Sequence, residues 1–542
     1  NNGKKQMEFY NDGEFNDWKK DNDVSKWNIK YYKGLGTSTG QEFKKYFEKK
    51  RIVYFQKTKE CGDIIDKIFN KKRANDRKDW LADYSRERYL DTNNTTVSYR
   101  EFINNDLIHF SKYDNDRSIP NLTDGLKISL RKILYSAFKK NLNKEIKVAQ
   151  FGGYTSEHSC YHHGEKSLYM AIIGMAQEFV GSNNINALLP NGQFGTRLQG
   201  GKDHASERYI FTQLNPITQL IYNQDDNNVL NYLDDDGTPV EPEWYAPIIP
   251  MVLVNPGKGI GTGFSYEILP YNPLDIAKHI KKKLIGETKS CDNNFLPYYE
   301  GFKGTIESVG NGKFVIKGKY EIVGVDKIQI TELPIGMWTD NYKAFLETLM
   351  DDNKKSKAKP IIRNFTDMST ESTVDITIRF NPGHLQNLLP KKAEYGCNAL
   401  EKKLKLYTTK CANNMYLFDH QGQLKKYPTV SSIIDGYFNV RYEVYEKRKA
   451  FLLQKMKKEI TKLSNKARFI HEQCEDIIDL RKKKKVQVIK LLDERGYDVI
   501  DNDDEYKYLR TMKIEDVEEE NMNRLLKQLE DKKQQHALLF KT

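Results

Sequence analysis

The chain has 542 residues, of which 38% are apolar and 30% charged, with a formal net charge of +12; one hydrophobic core does not usually hold so many residues, which predicts several domains. The longest apolar run, "YAPIIPMVLV", is too short to span a bilayer and no charged-then-apolar targeting segment opens the sequence, so a membrane is not an expected partner. The positive balance favours an anionic partner, nucleic acid first, and six cysteines (Cys61, Cys160, Cys291, Cys397, Cys411, Cys474) without a C-x-x-C pair point to a reducing compartment rather than to a disulfide framework or zinc finger.

In chain order, the stretch "RSIPNLTDGLKISLRKILYSAFKK" from Arg117 carries Leu126, Leu130, Ile133, Leu134 and Phe138 at helical spacing, and the i, i+4 pair Lys127 and Arg131 on another face. A second helical pattern, "HHGEKSLYMAIIGMAQEFVGS", begins beside Tyr161, His162 and His163. Two helices with cations at the entry to one of them fit a helix-turn-helix set against phosphates. His158 and His162 are four apart, but there is no H-E-x-x-H, so a histidine donating to a phosphate oxygen is the better reading than zinc.

The stretch "GGKDHASERYIFTQL" places Arg208-Tyr209 either at a reactive site or at a strand entering a core; with 33 tyrosines in the chain, residue type alone does not decide. "PEWYAPIIPMVLVNPGKGIGTGF", Pro242 to Phe264, reads as a buried strand leading into a loop of alternating Gly257, Gly259, Gly261 and Gly263. Neither G-x-G-x-x-G nor G-x-x-x-x-G-K-[ST] is met, so ATP binding is rejected there. Alternating glycine allows close backbone approach to a large partner, with Ile260 as either a core plug or a wedge between base pairs; sequence alone favours the plug.

"GFKGTIESVGNGKFVIKGKYEIVGVDKIQITELP" alternates as a strand meander would, and the section from about Ala246 to Val430 reads as mixed α and β. All 16 prolines lie between Pro120 and Pro428, and the residues beyond hold only Gly436 and Gly496, which predicts long helices. Leu452, Met456, Ile460, Leu463, Ala467, Ile470, Cys474 and Ile477 form a coiled-coil seam, and Met522, Leu525, Leu529, His536 and Leu539 could return antiparallel to it. Ordinary intramolecular helix packing is the alternative. "RKKKK", Arg481 to Lys485, reads as a solvated helix face.

Several of these stretches together resemble the eukaryotic-type DNA topoisomerase II family. "YYKGLGTSTGQEFKKYF" (Tyr31 to Phe47) looks like the late part of its Toprim domain, and "RSIPNLTDGLKISLRK", "YHHGE", "EFVGSNNINALLPNGQFGTRLQGGKDHASERYIFT", "PEWYAPIIPMVL" and "GIGTG" follow in the family's order. The resemblance implies a multidomain α/β and α+β fold. Its parts would be the rear of a Toprim domain with a linker (1–78), a winged-helix cleavage domain (79–245), a mixed α/β tower (246–430) and a long antiparallel coiled-coil C-gate arm (431–542). Tyr209 matches the family nucleophile, which forms a 5′-phosphotyrosine and frees a 3′-hydroxyl; free phenols ionise only near pH ~10, so help is needed. Arg208 matches a residue that stabilises charge on the phosphoryl centre, and Arg117 and His163 match residues lining the same site. Lys33, Lys71, Lys72, Lys127, Arg131 and Tyr161 match DNA-gripping positions, and Ile260 matches an intercalating isoleucine, which turns the plug reading into the wedge.

One departure stands out. The family's E-G-D-S-A and D-x-D-x-D-G motifs, which hold Mg2+, are not found, and no ATPase domain is recognised; "DNDVSK" and "DNDRS" lack the flanking pattern. The resemblance therefore implies a fragment with no metal ligands of its own, which binds DNA but cleaves poorly by itself. It further implies a nuclear, ATP-dependent homodimer on double-stranded DNA, with topoisomerase II poisons as small-molecule partners at the cleavage site. The rivals are a non-catalytic DNA clamp, for which Tyr209 is dispensable, and a metal-dependent nuclease without a covalent intermediate.

Overall fold

The computed structural model describes residues 2, 5–32, 35–50, 52–91, 93–235, 237–287, 295–350, 360–513 and 519–541. The chain divides into two compact units. One comprises Asn1–Thr218, Leu233–Trp244 and Ile249–Tyr437, the other Gln219–Tyr232, Tyr245–Ile248 and Phe438–Thr542.

In the first unit, helix α1 (Ala74–Ala82) buries Trp80 and Leu81 with Ile64, Ile68, Ile103 and Ile108, the last opening helix α2 (Ile108–Ser118). Helix α3 (Ile128–Lys139) follows with Ile133 and Leu134 fully buried, as its apolar spacing predicts. Strand β1 (Ile146–Lys147), helix α4 (Val148–His158), helix α5 (Glu165–Ala176) and strands β2 (Leu188–Asn191) and β3 (Phe211–Leu214) complete a helix cluster beside a small antiparallel sheet of order β1-β3-β2.

The stretch read as a buried strand after Pro242 is not one. Prolines 247 and 250 lack the N–H that a central strand needs, and Met251–Leu253 forms a 3-10 turn whose Val252 and Leu253, with Val254 capping it, enter the core with Ile119, Leu122, Ile268 and Ile433. The glycine stretch is half of a hairpin, strand β4 (Gly257–Ile260) paired with strand β5 (Ser265–Ile268).

The meander is present but split between sheets. Strands β6 (Thr305–Ser308) and β7 (Lys313–Lys317) join a three-stranded sheet, whereas β8 (Lys319–Gly324) and β9 (Lys327–Glu332) belong to a four-stranded one. Helix α6 (Thr339–Met350) and strands β10 (Ile362–Asp367) and β11 (Ile376–Phe380) complete the latter body, in the order β8-β9-β11-β10. Strand β12 (Tyr407–Cys411) closes the former on β7. Ile328, Ile330, Tyr342, Leu346, Ile376 and Ile378 form the core of the four-stranded body.

Helix α7 (Val430–Cys474) is a single 45-residue helix whose turns after Tyr437 belong to the second unit. Within that unit helix α8 (Lys485–Glu494) and helix α9 (Glu519–Lys541) follow. Leu525 packs with Ala467 and Ile470, and Lys532 pairs with Glu459 at 2.7 Å, so α9 runs back along α7 in the antiparallel sense its seam residues predict. The seam stops short of its expected end. The helix ends at Cys474, Ile477 is 49% exposed, and both Ile477 and Ile478 turn back to donate to the Glu472 carbonyl. Arg481 to Lys485 is solvated but is not a helix face: Lys482 has φ 62° in a turn, and only Lys485 enters α8.

Candidate active site

Tyr209 lies in a turn, not in a strand. The segment between β2 and β3 doubles back on itself: Ala205 N–H donates to the Gln193 carbonyl at 2.9 Å and Gly201 N–H to that of Thr196 at 2.9 Å. The Asp203 carboxylate accepts from both the amide and the hydroxyl of Thr196 (2.9 and 2.5 Å). The segment is then fastened to the start of α4, where Ala149 N–H donates to the Glu207 carbonyl and Val148 N–H to that of Ile210, each at 3.0 Å. Arg208 and Tyr209 sit between these two anchors. Ile210 is buried while the Tyr209 side chain is 73% exposed. Among the described residues its hydroxyl has no hydrogen-bond partner and Arg208, also exposed, forms no ion pair. A tyrosine of this size held out by a backbone fixed on both sides does not serve the core.

Arg117, Tyr161 and His163 form a second group. His163 Nε2 lies 2.5 Å from the Tyr113 hydroxyl, and the Tyr161 ring meets the His163 ring edge-on at 5.4 Å between centroids. Burial, followed by the positive charges of Arg117, His162 and Lys132, holds His163 below the usual imidazole value. Burial, with Tyr113, raises the Tyr161 phenol, and Arg117 opposes this. Lys132 pins the loop by donating to the Ser159 carbonyl (2.5 Å) and to Glu241 (2.8 Å). His162 turns to Asp235 at 3.0 Å, whereas His158 donates to the Tyr154 carbonyl and stacks on the Tyr154 ring at 3.9 Å, so the i, i+4 histidines do not converge. No hydrogen bond joins this group to Tyr209 among the described residues. The Tyr209 turn is fixed to the beginning of α4 and the histidine loop follows its end, 11 residues on, which is about 16 Å of helix. Tyr113 and Lys132 were not singled out from the sequence, because each supports the site from a helix that reads as ordinary amphipathic structure.

The hairpin corrects the reading of its glycines. They approach the chain's own helix: a Cβ on Gly259 would stand 2.2 Å from the Ser118 carbonyl oxygen, and one on Gly261 would stand 2.2 Å from Asn115 Oδ1. Asn115 donates to the Thr262 carbonyl at 3.0 Å and the Thr262 hydroxyl to Asp114 at 3.1 Å. Clamped in this way, the tip presents Ile260 83% exposed, which rules out the core plug. Lys127 donates to the Lys258 carbonyl at 3.0 Å and lies over the Tyr266 ring, and burial lowers its pKa. Gly263 lies against Arg77 of α1, just beyond the 3-10 turn Lys71–Arg73. In that turn Arg73 is taken up by Asp63, Asp66 and Asp76, while Lys71 and Lys72 are exposed and outside those pairs.

Arg131 is the clear correction. Its guanidinium is buried, donating to Asp124 at 2.7 and 3.1 Å and to the Leu126 carbonyl at 2.9 Å, so it is committed to the interior and not offered to a phosphate. Lys127 and Arg131 do not share a helix face, because Lys127 is the N-cap of α3, with extended backbone (φ −77°, ψ 160°), and does not share the helical phase. Lys33 lies outside the described residues. Among the described residues no group of three or more His, Cys, Asp or Glu side chains is arranged to hold a metal ion.

Residues 117–542 match the family of the DNA gyrase and topoisomerase IV A subunits, and residues 1–115 match the C-terminal associated domain of TOPRIM. The chain belongs to the type II DNA topoisomerases of this family. Two eukaryotic relatives show the degree of likeness. It is 46% identical over 505 residues to DNA topoisomerase 2 of Arabidopsis thaliana (91% of this chain, 33% of the relative) and 44% identical over 512 residues to DNA topoisomerase 2-alpha of Homo sapiens (91% and 33%). A crystal structure of the Plasmodium falciparum topoisomerase II DNA-binding, cleavage and re-ligation domain is similar with a TM-score of 0.83 at 41% identity, covering all of this chain and 75% of that one. The chain thus spans about a third of the length of the first two relatives.

Proposed function

We propose that the chain is the DNA-cleavage and religation core of an ATP-dependent type II topoisomerase, with Tyr209 as nucleophile. The observation that carries the reading is a solvent-presented tyrosine hydroxyl on a turn anchored at Glu207 and Ile210, next to an exposed arginine. The Tyr209 oxygen attacks a backbone phosphorus; the new bond is Oη–P, the bond broken is P–O3′, the phenol proton leaves to solvent or a neighbouring base, and the departing 3′-oxygen takes up a proton. Because one phosphodiester replaces another, the 3′-hydroxyl reverses the step without further energy input. Arg208 stabilises charge on the five-coordinate phosphorus. Arg117 and His163 contribute donors to the same backbone, with Tyr161 beside them.

Lys71, Lys72 and Lys127 position the duplex without reading its sequence, Lys33 joins them, and Ile260 inserts between base pairs and bends it. In this reading the helix cluster with its β1-β3-β2 sheet is the winged-helix domain, the β-rich section is the tower, and α7 with α9 is the gate arm. The partners are double-stranded DNA and a second copy of the chain, each Tyr209 cutting one strand so that another duplex passes. The setting is the nucleus, and Mg2+ and ATP are the cofactors of the whole enzyme.

The test uses the full-length protein with Mg2+ and end-labelled duplex, denatured with detergent. Label trapped on protein through the 5′ end, and lost in Tyr209→Phe, supports the reading. DNA binding without trapping would favour the clamp, and free nicked DNA unaffected by Tyr209→Phe the nuclease.

A further inference from the structure

The segment that carries Tyr209 is fastened at its far end to the four-stranded body, and the fastening contains a buried ion pair. Arg197 Nη2 donates to Glu332 Oε1 with the two side chains only 7% and 1% exposed. Glu332 is the last residue of β9, and its carboxylate also accepts from the amides of Leu333 (2.9 Å) and Lys303 (3.1 Å). The neighbouring backbone completes the joint. The carbonyls of Arg197 and Leu198 accept from the Thr339 and Asp340 amides (3.4 and 3.1 Å), two of the N–H groups that the first turn of α6 leaves without helical partners. Gln199 donates to Asp340 at 3.1 Å. Gly200 lies so close to Trp338 that a Cβ there would stand 2.2 Å from the indole.

A buried charge pair is a poor source of stability, since desolvation offsets most of its attraction; what it does supply is a fixed geometry, because either partner displaced alone is left charged and unpaired. This one sits between a body with its own hydrophobic core and a segment that is also held by hydrogen bonds at Thr196–Asp203, Gln193–Ala205 and α4, and by Gln177, which donates to the Phe194 and Gly201 carbonyls (2.9 and 3.2 Å).

We propose that Arg197 and Glu332 are a positioning pair that fixes the Tyr209 segment to the β9–α6 body, so that the placement of this body sets the presentation of the nucleophile. The proposal rests on the reading of Tyr209 given above. Neither residue touches DNA in this account, so the pair governs the cleavage step and not the affinity.

The test compares the full-length protein with Glu332→Gln and Arg197→Gln. The double variant Arg197→Met/Glu332→Gln keeps the question open to measurement if a single change prevents folding, because it leaves no charge buried on either side. Amide hydrogen exchange is read first, since it does not depend on activity: peptides covering 193–209 should exchange at least tenfold faster, with α3 unchanged. Single-turnover formation of protein-linked DNA at saturating duplex should then slow at least tenfold, with the Kd for DNA within twofold of the parent. Unchanged exchange and an unchanged cleavage rate in a folded variant would overturn the pairing role. Weaker DNA binding in Arg197→Gln alone would also overturn it, by making Arg197 a DNA contact. If the parent itself traps no DNA, the Tyr209 reading fails, while the exchange result still decides whether the pair holds the segment.

Discussion

Replacing Ile260 by alanine separates a residue that serves the fold from one that serves a partner. The side chain is 83% exposed at the tip of a hairpin whose position is set by Asn115, Thr262 and Lys127, so its loss should alter folding stability by no more than about 0.5 kcal/mol. If the side chain is inserted between base pairs, truncation removes three buried carbon groups at ~0.8 kcal/mol each, or about 2 kcal/mol once incomplete burial is allowed for. That corresponds to ~30-fold in DNA affinity, taking ~1.4 kcal/mol per factor of ten. The assay is fluorescence anisotropy on a labelled duplex at fixed salt, paired with end-to-end energy transfer on the same duplex to read the bend. A melting temperature within a degree or two of the parent, with weaker binding and a straighter duplex, is the expected result. An unchanged affinity and bend, or a loss of several degrees in melting temperature, would refute the wedge.

Arg131→Ala leaves Asp124 buried and unpaired and should cost about 3–5 kcal/mol in urea unfolding, whereas a solvent-facing phosphate ligand would cost almost nothing. Changing Lys71 and Lys72 to alanine should flatten the dependence of log K on log salt by about 0.9 per lysine, with no change in preferred sequence, as measured by binding titrations from low to moderate salt. His163 has a folded pKa below its ordinary 6.5, so the unfolded state binds more protons between the two values; its contribution to stability is complete above about pH 6.5 and is lost as the pH falls through the folded value. His163→Gln should therefore lose less stability on acidification than the parent, and an NMR titration placing His163 above 6.5 would contradict the burial argument.

What the sequence discloses differs from element to element. The helices α3 and α7 and the return of α9 follow from apolar periodicity, because burying one face of a helix leaves that trace. The end of the seam at Cys474 left no such trace, since Ile477 keeps the spacing after the backbone has turned. The glycines of β4 show where backbone must come close to something, yet the same alternation serves a partner's surface or the chain's own Ser118 and Asn115. That ambiguity is why Ile260 reads as a plug from its local sequence alone, and as a wedge only once the family resemblance is added. Arg131 misleads for a related reason: i, i+4 spacing implies a shared face only when both residues are inside the helix, and Lys127 is its cap. Arg208-Tyr209 is legible only through the family resemblance of the stretch around it, and what the structure adds is the pair of anchors that turn the ring outward. Arg197 and Glu332, 135 positions apart, carry no local signal of their pairing.

The most direct test of Tyr209 as nucleophile is the identity of the linked residue. The full-length protein is incubated with duplex DNA and Mg2+, the covalent adduct is trapped with detergent, the DNA is trimmed with nuclease, and the modified peptide is sequenced by mass spectrometry. A nucleotide joined through its 5′ phosphate to Tyr209 is the predicted result; an adduct on any other residue, or none while the DNA is cut, would contradict it.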